Sequence, residues 1–170
     1  MPDSPVRRAA LEVEAHVAAD GWDQPARLFA LVPTVDLIAR EPELAAQVEA
    51  SPGGFTSIEQ ELPVDGRELE ELLTEIGWPE TVIGCAVVVE RMTLPAEAEE
   101  ELPDDPDAMV AAAAQHPDRR EVRLVAAVTR GGAVHSAVRG RTADGDAVEL
   151  LEGPDLVPGL LAQLRQTLEP

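Results

Sequence analysis

Residues 82–90, Val-Ile-Gly-Cys-Ala-Val-Val-Val-Glu, are the longest apolar run in the chain, and the rest must be arranged to cover them. The run is rich in β-branched residues, has no Pro and is only about nine residues long, so it reads as a strand buried on both faces. Val and Ile with Gly84 make poor helix material. A membrane span is excluded, because crossing a bilayer takes roughly 20 apolar residues and this run ends in Glu90-Arg91. Upstream, Asp65-Gly-Arg-Glu68 has capping-box spacing, and Leu69, Leu72, Leu73 and Ile76 follow on one helical face. Gly77 is expected to supply a left-handed exit, after which Trp78-Pro79 turns the chain into the strand.

At 170 residues the chain suits one domain, residues 1–170, able to bury about two-thirds of its unfolded surface. Aromatic residues make up only 2%, so the core must be Leu, Val and Ala, anchored by Trp22, Phe29, Phe55 and Trp78. All 13 basic residues are Arg, against 33 acids and a net charge of −20. That balance argues against general nucleic-acid binding, which needs a cationic surface, and against docking on anionic lipid. Solubility or a basic partner are its positive implications. One cysteine, Cys85, leaves no disulfide framework. The opening Met-Pro-Asp-Ser-Pro lacks an apolar signal region, and the expected compartment is the cytoplasm.

Along the chain, Ser4-Pro5 predicts a capped helix with Val6, Ala10, Val13 and Val17 buried and His16 at the edge of that face. Gly21-Trp-Asp-Gln-Pro25 leads into a strand over Arg27–Val32. Thr34 is placed to cap a short helix carrying Leu37 and Ile38, which Pro42 kinks or restarts through Leu44 and Val48. Ser51–Gly54 is a loop, and Phe55–Leu62 alternates as a half-exposed strand does. Residues 94–107 hold seven acids and three prolines, an acidic connection, mobile or forming one loose helical turn. Asp105-Pro106 starts an Ala-rich helix that His116-Pro117 stops. Two strands, 121–129 and 133–139, form a hairpin around Arg130–Ala133. A turn at Thr142–Asp146, a short strand over Ala147–Leu151 and a helix capped by Asp155 close the chain. This order predicts an α+β domain, with a twisted, largely antiparallel sheet of about five strands and helices packed on one face.

No catalytic constellation emerges. His16, His116, His135 and Cys85 are not spaced as a chelating pair, so neither a metal nor a cofactor is expected. Cys85 within an apolar strand reads as core rather than nucleophile. Glu59, Glu61 and Glu90 are the carboxylates that a sheet face could bring together for acid–base or metal chemistry. The glycine pairs at 53–54 and 131–132 are turns, not phosphate loops.

The charge map is uneven. Six arginines against Glu121 give residues 119–141 a charge of +5, while the remainder carries −25. Strand alternation puts Arg123 on one face of its strand, and His135 with Arg139 on the matching face of the next. These three are therefore expected to share a solvent-facing sheet surface. Either the chain's own acidic segment at 97–107 neutralises them, or they bind an anionic ligand or acidic peptide through Arg forks.

Several stretches resemble a family of small, acidic, uncharacterised actinobacterial proteins. They are Gly21-Trp-Asp-Gln-Pro-Ala-Arg-Leu-Phe-Ala-Leu-Val-Pro33, Ile76-Gly-Trp-Pro79, His116-Pro-Asp-Arg-Arg-Glu-Val-Arg-Leu124 and Gly153-Pro-Asp-Leu-Val-Pro158. The resemblance covers nearly the whole chain and implies no activity. In element order alone, the long first helix, twisted sheet and closing helix are similar to secretion-chaperone-like domains. The expectation is a non-enzymatic binding or adaptor module, working by contact with another protein or by self-association as a homodimer. A regulator binding a small anionic metabolite at Arg123, His135 and Arg139 is the alternative. A small carboxylate-based enzyme ranks third.

Overall fold

The computed structural model describes residues 4–43, 54–63, 66–117, 119–141 and 147–169. Helix α1 (Pro5–Ala18) is followed by β1 (Arg27–Pro33), α2 (Thr34–Arg40) and β2 (Phe55–Gln60). Next come α3 (Leu69–Leu73), β3 (Gly84–Thr93), α4 (Ala96–Glu100) and α5 (Pro106–Gln115). Strands β4 (Arg120–Thr129), β5 (Val134–Arg141) and β6 (Ala147–Gly153) and helix α6 (Pro158–Thr167) complete the chain. One six-stranded sheet in the order β2-β1-β3-β4-β5-β6 holds them together, and every neighbouring pair is antiparallel. The α+β class with an antiparallel sheet is as expected. A sixth strand replaces the estimate of about five, because Ala147–Gly153 pairs along β5.

The apolar run lies inside the sheet. β3 is flanked by β1 and β4, and Cys85, Ala86, Val87, Val88 and Val89 are all buried. Gly84 is needed for that fit, since a Cβ there would collide with the Val128 carbonyl oxygen of β4. Alternate residues of these strands enter different cores. Ala86, Val88, Val125 and Ala127 pack with Val6, Ala9, Ala10, Val13 and Val17 of α1. Cys85, Val87, Ala126 and Val128 pack instead with Leu161, Leu164 and Leu168 and with Leu69 and Leu73 of α3. The helices therefore cover both faces, α1 on one side and α3 with α6 on the other, which corrects the one-face arrangement. The reason is local: strands apolar at both parities must be sheltered twice, each fully buried Val being worth about 1.5–3 kcal/mol.

Helix ends follow the sequence in part. The Ser4 side chain accepts from Arg7 N–H with Pro5 at the first position, and Asp105 caps α5 through Ala108 N–H. Between β3 and β4, residues 96–100 form the short helix α4, in line with the helical-turn alternative for this acidic segment. Four expectations fail. Glu68, not Asp65, stands at the start of α3 and makes no side-chain cap; Asp65 lies outside the described residues. Gly77 does not take the left-handed conformation, which among the described residues falls to Gly21, Asp23, Gly66 and Gly132. Val157 rather than Asp155 precedes α6, and Thr34 opens α2 instead of capping it, its Oγ1 meeting Thr56 Oγ1 at 2.9 Å. Leu44, Val48, most of the loop before Gly54 and the turn at 142–146 also lie outside the described residues.

Since β3 sits on the far side of β1 from β2, the chain between them must cross β1. That crossing segment carries α3, Trp78 and Pro79 over the α6 side of the sheet. Trp78 Nε1 donates to Thr167 Oγ1 at 2.9 Å, and Arg130 donates to the carbonyl oxygens of Val82, Pro79 and Leu168, so the end of the crossing that leads into β3 is tied down.

Candidate functional site

The residues singled out for anion or partner binding do lie on one face of the sheet, but α1 covers it. Arg123 pairs in register with Arg139, and Ala127 with His135. The Arg123 side chain is 1% exposed and that of His135 4%. Arg139 grips the buried carboxylate of Glu14 from α1, with Nε–Oε1 at 2.6 Å and Nη2–Oε2 at 3.3 Å. Arg123 Nη1 lies 3.9 Å from the same carboxylate, and its Nη2 donates to the Gly21 carbonyl at 2.5 Å. Its Nε–H is buried without an acceptor. Burial draws the Arg123 pKa below its ordinary value, and the negative charges of Glu90 and Glu14 act in the opposite direction.

Trp22 closes this arrangement from outside. The Arg123 guanidinium lies 4.3 Å from its ring centroid and that of Arg141 5.5 Å, so the indole stacks against two cations. Gly21 at φ +85° and Asp23 at φ +68° fold residues 21–24 into a strap. Glu90 accepts from Asp23 N–H and Gln24 N–H at 2.9 Å each, while Arg141 holds the Asp23 carboxylate at 2.8 Å. That guanidinium keeps Asp23 below the ordinary carboxylate range. At the other end of the face, His135 Nε2 lies 3.0 Å from Glu152, and Arg7 of α1 donates to both oxygens of that carboxylate. Arg7 first, and His135 second, hold Glu152 below its usual value. The expected solvent-facing patch is thus an internal lock, and α1 rather than segment 97–107 supplies its main counter-charge, Glu14. The sequence signal was available: Glu14 sits within the buried stripe of α1, where an acid demands a partner.

Of the remaining candidates, Cys85, Glu59 and Glu90 are likewise occupied, while Glu61 makes no ion pair among the described residues. Cys85 is buried against Thr167 and Leu164, and burial pushes its thiol up to about 11. Arg27 chelates Glu59 at 2.8 and 2.7 Å and reaches Asp20 at 2.8 Å, which lowers the Glu59 pKa and raises that of Arg27. Glu90 serves the strap. Among the described residues no group of three His, Cys, Asp or Glu side chains could hold a metal ion.

What stands open is on the opposite face, at the β1–β2 corner, where α6 does not reach. Three adjoining cavities of about 330, 380 and 990 Å³ run between β2 and the crossing segment, and Gln60 lines all three. Leu28, Leu62, Leu72 and Trp78 form the apolar floor of the middle one. Ile58, 41% exposed, projects from β2 into the narrow end. The β2–β1 register runs unbroken from Phe55↔Pro33 to Gln60↔Leu28, and β2 has no second strand partner among the described residues. β6, at the other edge, has a register break against β5 between Arg139 and Arg141. No helix among the described residues is long and apolar enough to cross a membrane.

A family model described as PPA1309-like protein matches residues 6–169, nearly the whole of this architecture. The chain belongs to that family. Its description names no activity, substrate or partner, and no curated protein and no solved structure matches the chain. The similarity of element order to secretion-chaperone-like domains gains no support from these comparisons. The groove was missed at the level of sequence because Ile58 and Leu62 read as an ordinary strand alternation. Nothing in that pattern says that the helix covering the face stops short of them.

Proposed function

We propose that this PPA1309-like protein is a cytoplasmic, non-catalytic binding module that captures an extended segment of a partner protein along β2. The observation that carries this reading is the regular, unbulged edge strand bordered by an apolar groove. Unpaired N–H and C=O groups on such an edge form a template for a further strand, and adjoining pockets select its side chains. An interrupted register, one means of blunting an edge, is found at β6 and not at β2. The fate of the ionisable groups supports binding over catalysis. Glu59 is neutralised by Arg27, Glu90 clamps backbone, and Cys85 is sealed in the core. The anionic-metabolite alternative loses its basis, since α1 fills the face on which Arg123 and Arg139 stand.

Peptides selected from a displayed random library against the full chain test the proposal, with hydrogen exchange as the readout. Bound peptides should slow the amides of residues 55–60, and Ile58→Asp should abolish their binding. Selected peptides that protect another surface and ignore Ile58→Asp would overturn it. Sedimentation of the chain alone checks the competing occupant, a second copy paired through β2. A mass of one chain at all concentrations agrees with the proposal, and a dimer broken by Ile58→Asp does not.

A further inference from the structure

The groove is not electrically neutral, and its imbalance identifies the chemistry of its occupant. Three arginines line the wide part, and each already holds a carboxylate. Arg27 binds Glu59, Arg67 binds Glu75 at 2.7 Å, and Arg91 binds Glu70. Two glutamates on the same walls, Glu61 beyond β2 and Glu68 before α3, have carboxylates with no ion pair or hydrogen bond among the described residues. Both are exposed. At the narrow end Arg40 and Glu41 balance each other. The uncommitted charge of the wide part is therefore negative, above a floor of Leu62, Leu69, Leu72 and Val89.

We infer that the occupant is an extended polypeptide segment of net positive charge. It lies as a seventh strand against β2, sets an apolar side chain over Ile58 and Trp78, and places Arg or Lys against Glu61 and Glu68. This rests on the reading of the groove as a protein-binding site and adds the class of partner. The length fits: six residues of β2 span about 20 Å at roughly 3.4 Å each, so a strand of similar length would run past all three cavities. The sign follows from cost. An acidic segment would meet two exposed carboxylates and no uncommitted cation in the wide part, and like-charge juxtaposition disfavours such a partner. A second copy of this chain is disfavoured on the same ground, since its rim carries the same acids and the whole chain −20.

The test uses the full chain and three synthetic ten-residue peptides with Val at alternate positions and Arg, Gln or Glu between. Affinity is measured by fluorescence anisotropy at low and moderate salt, with hydrogen exchange locating the contact. The Arg peptide should bind at least tenfold tighter than the Gln peptide, slow residues 55–60, and lose most of that margin at 300 mM salt. Glu61→Gln with Glu68→Gln should bring it close to the Gln peptide. Glu99→Gln with Glu100→Gln, on α4 outside the groove, should leave it unchanged. Equal protection of β2 by the Gln and Arg peptides would overturn the charge assignment and leave the groove standing. So would an equal loss from the α4 pair, which marks diffuse attraction to an acidic protein. Failure of every peptide to protect residues 55–60 would remove the groove reading itself.

Discussion

The α1 face and the β1–β2 corner of the opposite face present the same problem, an apolar sheet needing cover, and meet it differently. On the α1 face a long helix supplies the cover and is fastened by charge: Glu14 under Arg139 and Arg123, Glu152 between Arg7 and His135, and Trp22 stacked over two guanidinium groups. At the corner the cover stops short, and the floor is closed only by Trp78, Leu72 and neighbouring side chains. Concentrated charge thus marks the part of the molecule that is fixed, while the part with an ordinary sequence is left accessible. Arginine density reports on function only after its counter-ions have been found, because an Arg beside a buried acid is spent on structure.

Removing Glu14 is the strongest way to break this contrast. Glu14→Gln leaves two arginines beneath α1 without their main carboxylate, and breaking a buried pair costs about 3–5 kcal/mol. Urea unfolding should show a loss of that size. A loss under about 1 kcal/mol would mean that the face is held by its apolar residues alone. Trp22→Ala removes the stack on Arg123 and Arg141 and should cost about 1–2 kcal/mol, with faster amide exchange in residues 21–24. Unchanged exchange there would separate the strap from the stack.

Acid should act more on the locked face than on the corner. On the locked face, Glu152 and Asp23 have folded-state pKa values lowered by their arginine partners. Their contribution is present above the unfolded-state values, 4.5 for Glu and 3.8 for Asp, and disappears as pH falls through the lower folded ones. Unfolding midpoints should therefore stay level from pH 7 to about 5 and drop below about 4.5, and Glu152→Gln should flatten part of that drop. A fall beginning near pH 6 would mean that these carboxylates do not set the acid limit. The smallest effect on stability is expected at the groove. Ile58→Asp, on an exposed edge, should shift stability by no more than about 0.5 kcal/mol while eliminating peptide capture. A shift of several kcal/mol would show that Ile58 belongs to the core.

Much of the scaffold was legible because its signals are local. The α1 stripe of Val6, Ala10, Val13 and Val17, the caps at Ser4 and Asp105, and the run in β3 depend only on neighbours along the chain. Strand alternation also placed Arg123, His135 and Arg139 correctly on a common face. What it did not contain was which face α1 would cover, because that depends on a helix more than a hundred residues away. The groove was hidden for the same reason: it is produced by the β2-to-β3 crossing and by where α6 ends, neither of which appears in the residues lining it.

The excursion between β3 and β4 has a practical consequence. Residues 94–119 leave and return at one rung of the ladder, since Thr93 and Arg120 are register partners, and His116 meets Glu101 at 3.2 Å within the excursion itself. A flap closed at its own base is a place where the chain can be cut, relabelled or given a fluorescent reporter while the ladder beneath keeps its alignment. It offers a handle for following capture at β2 from a position the groove does not touch.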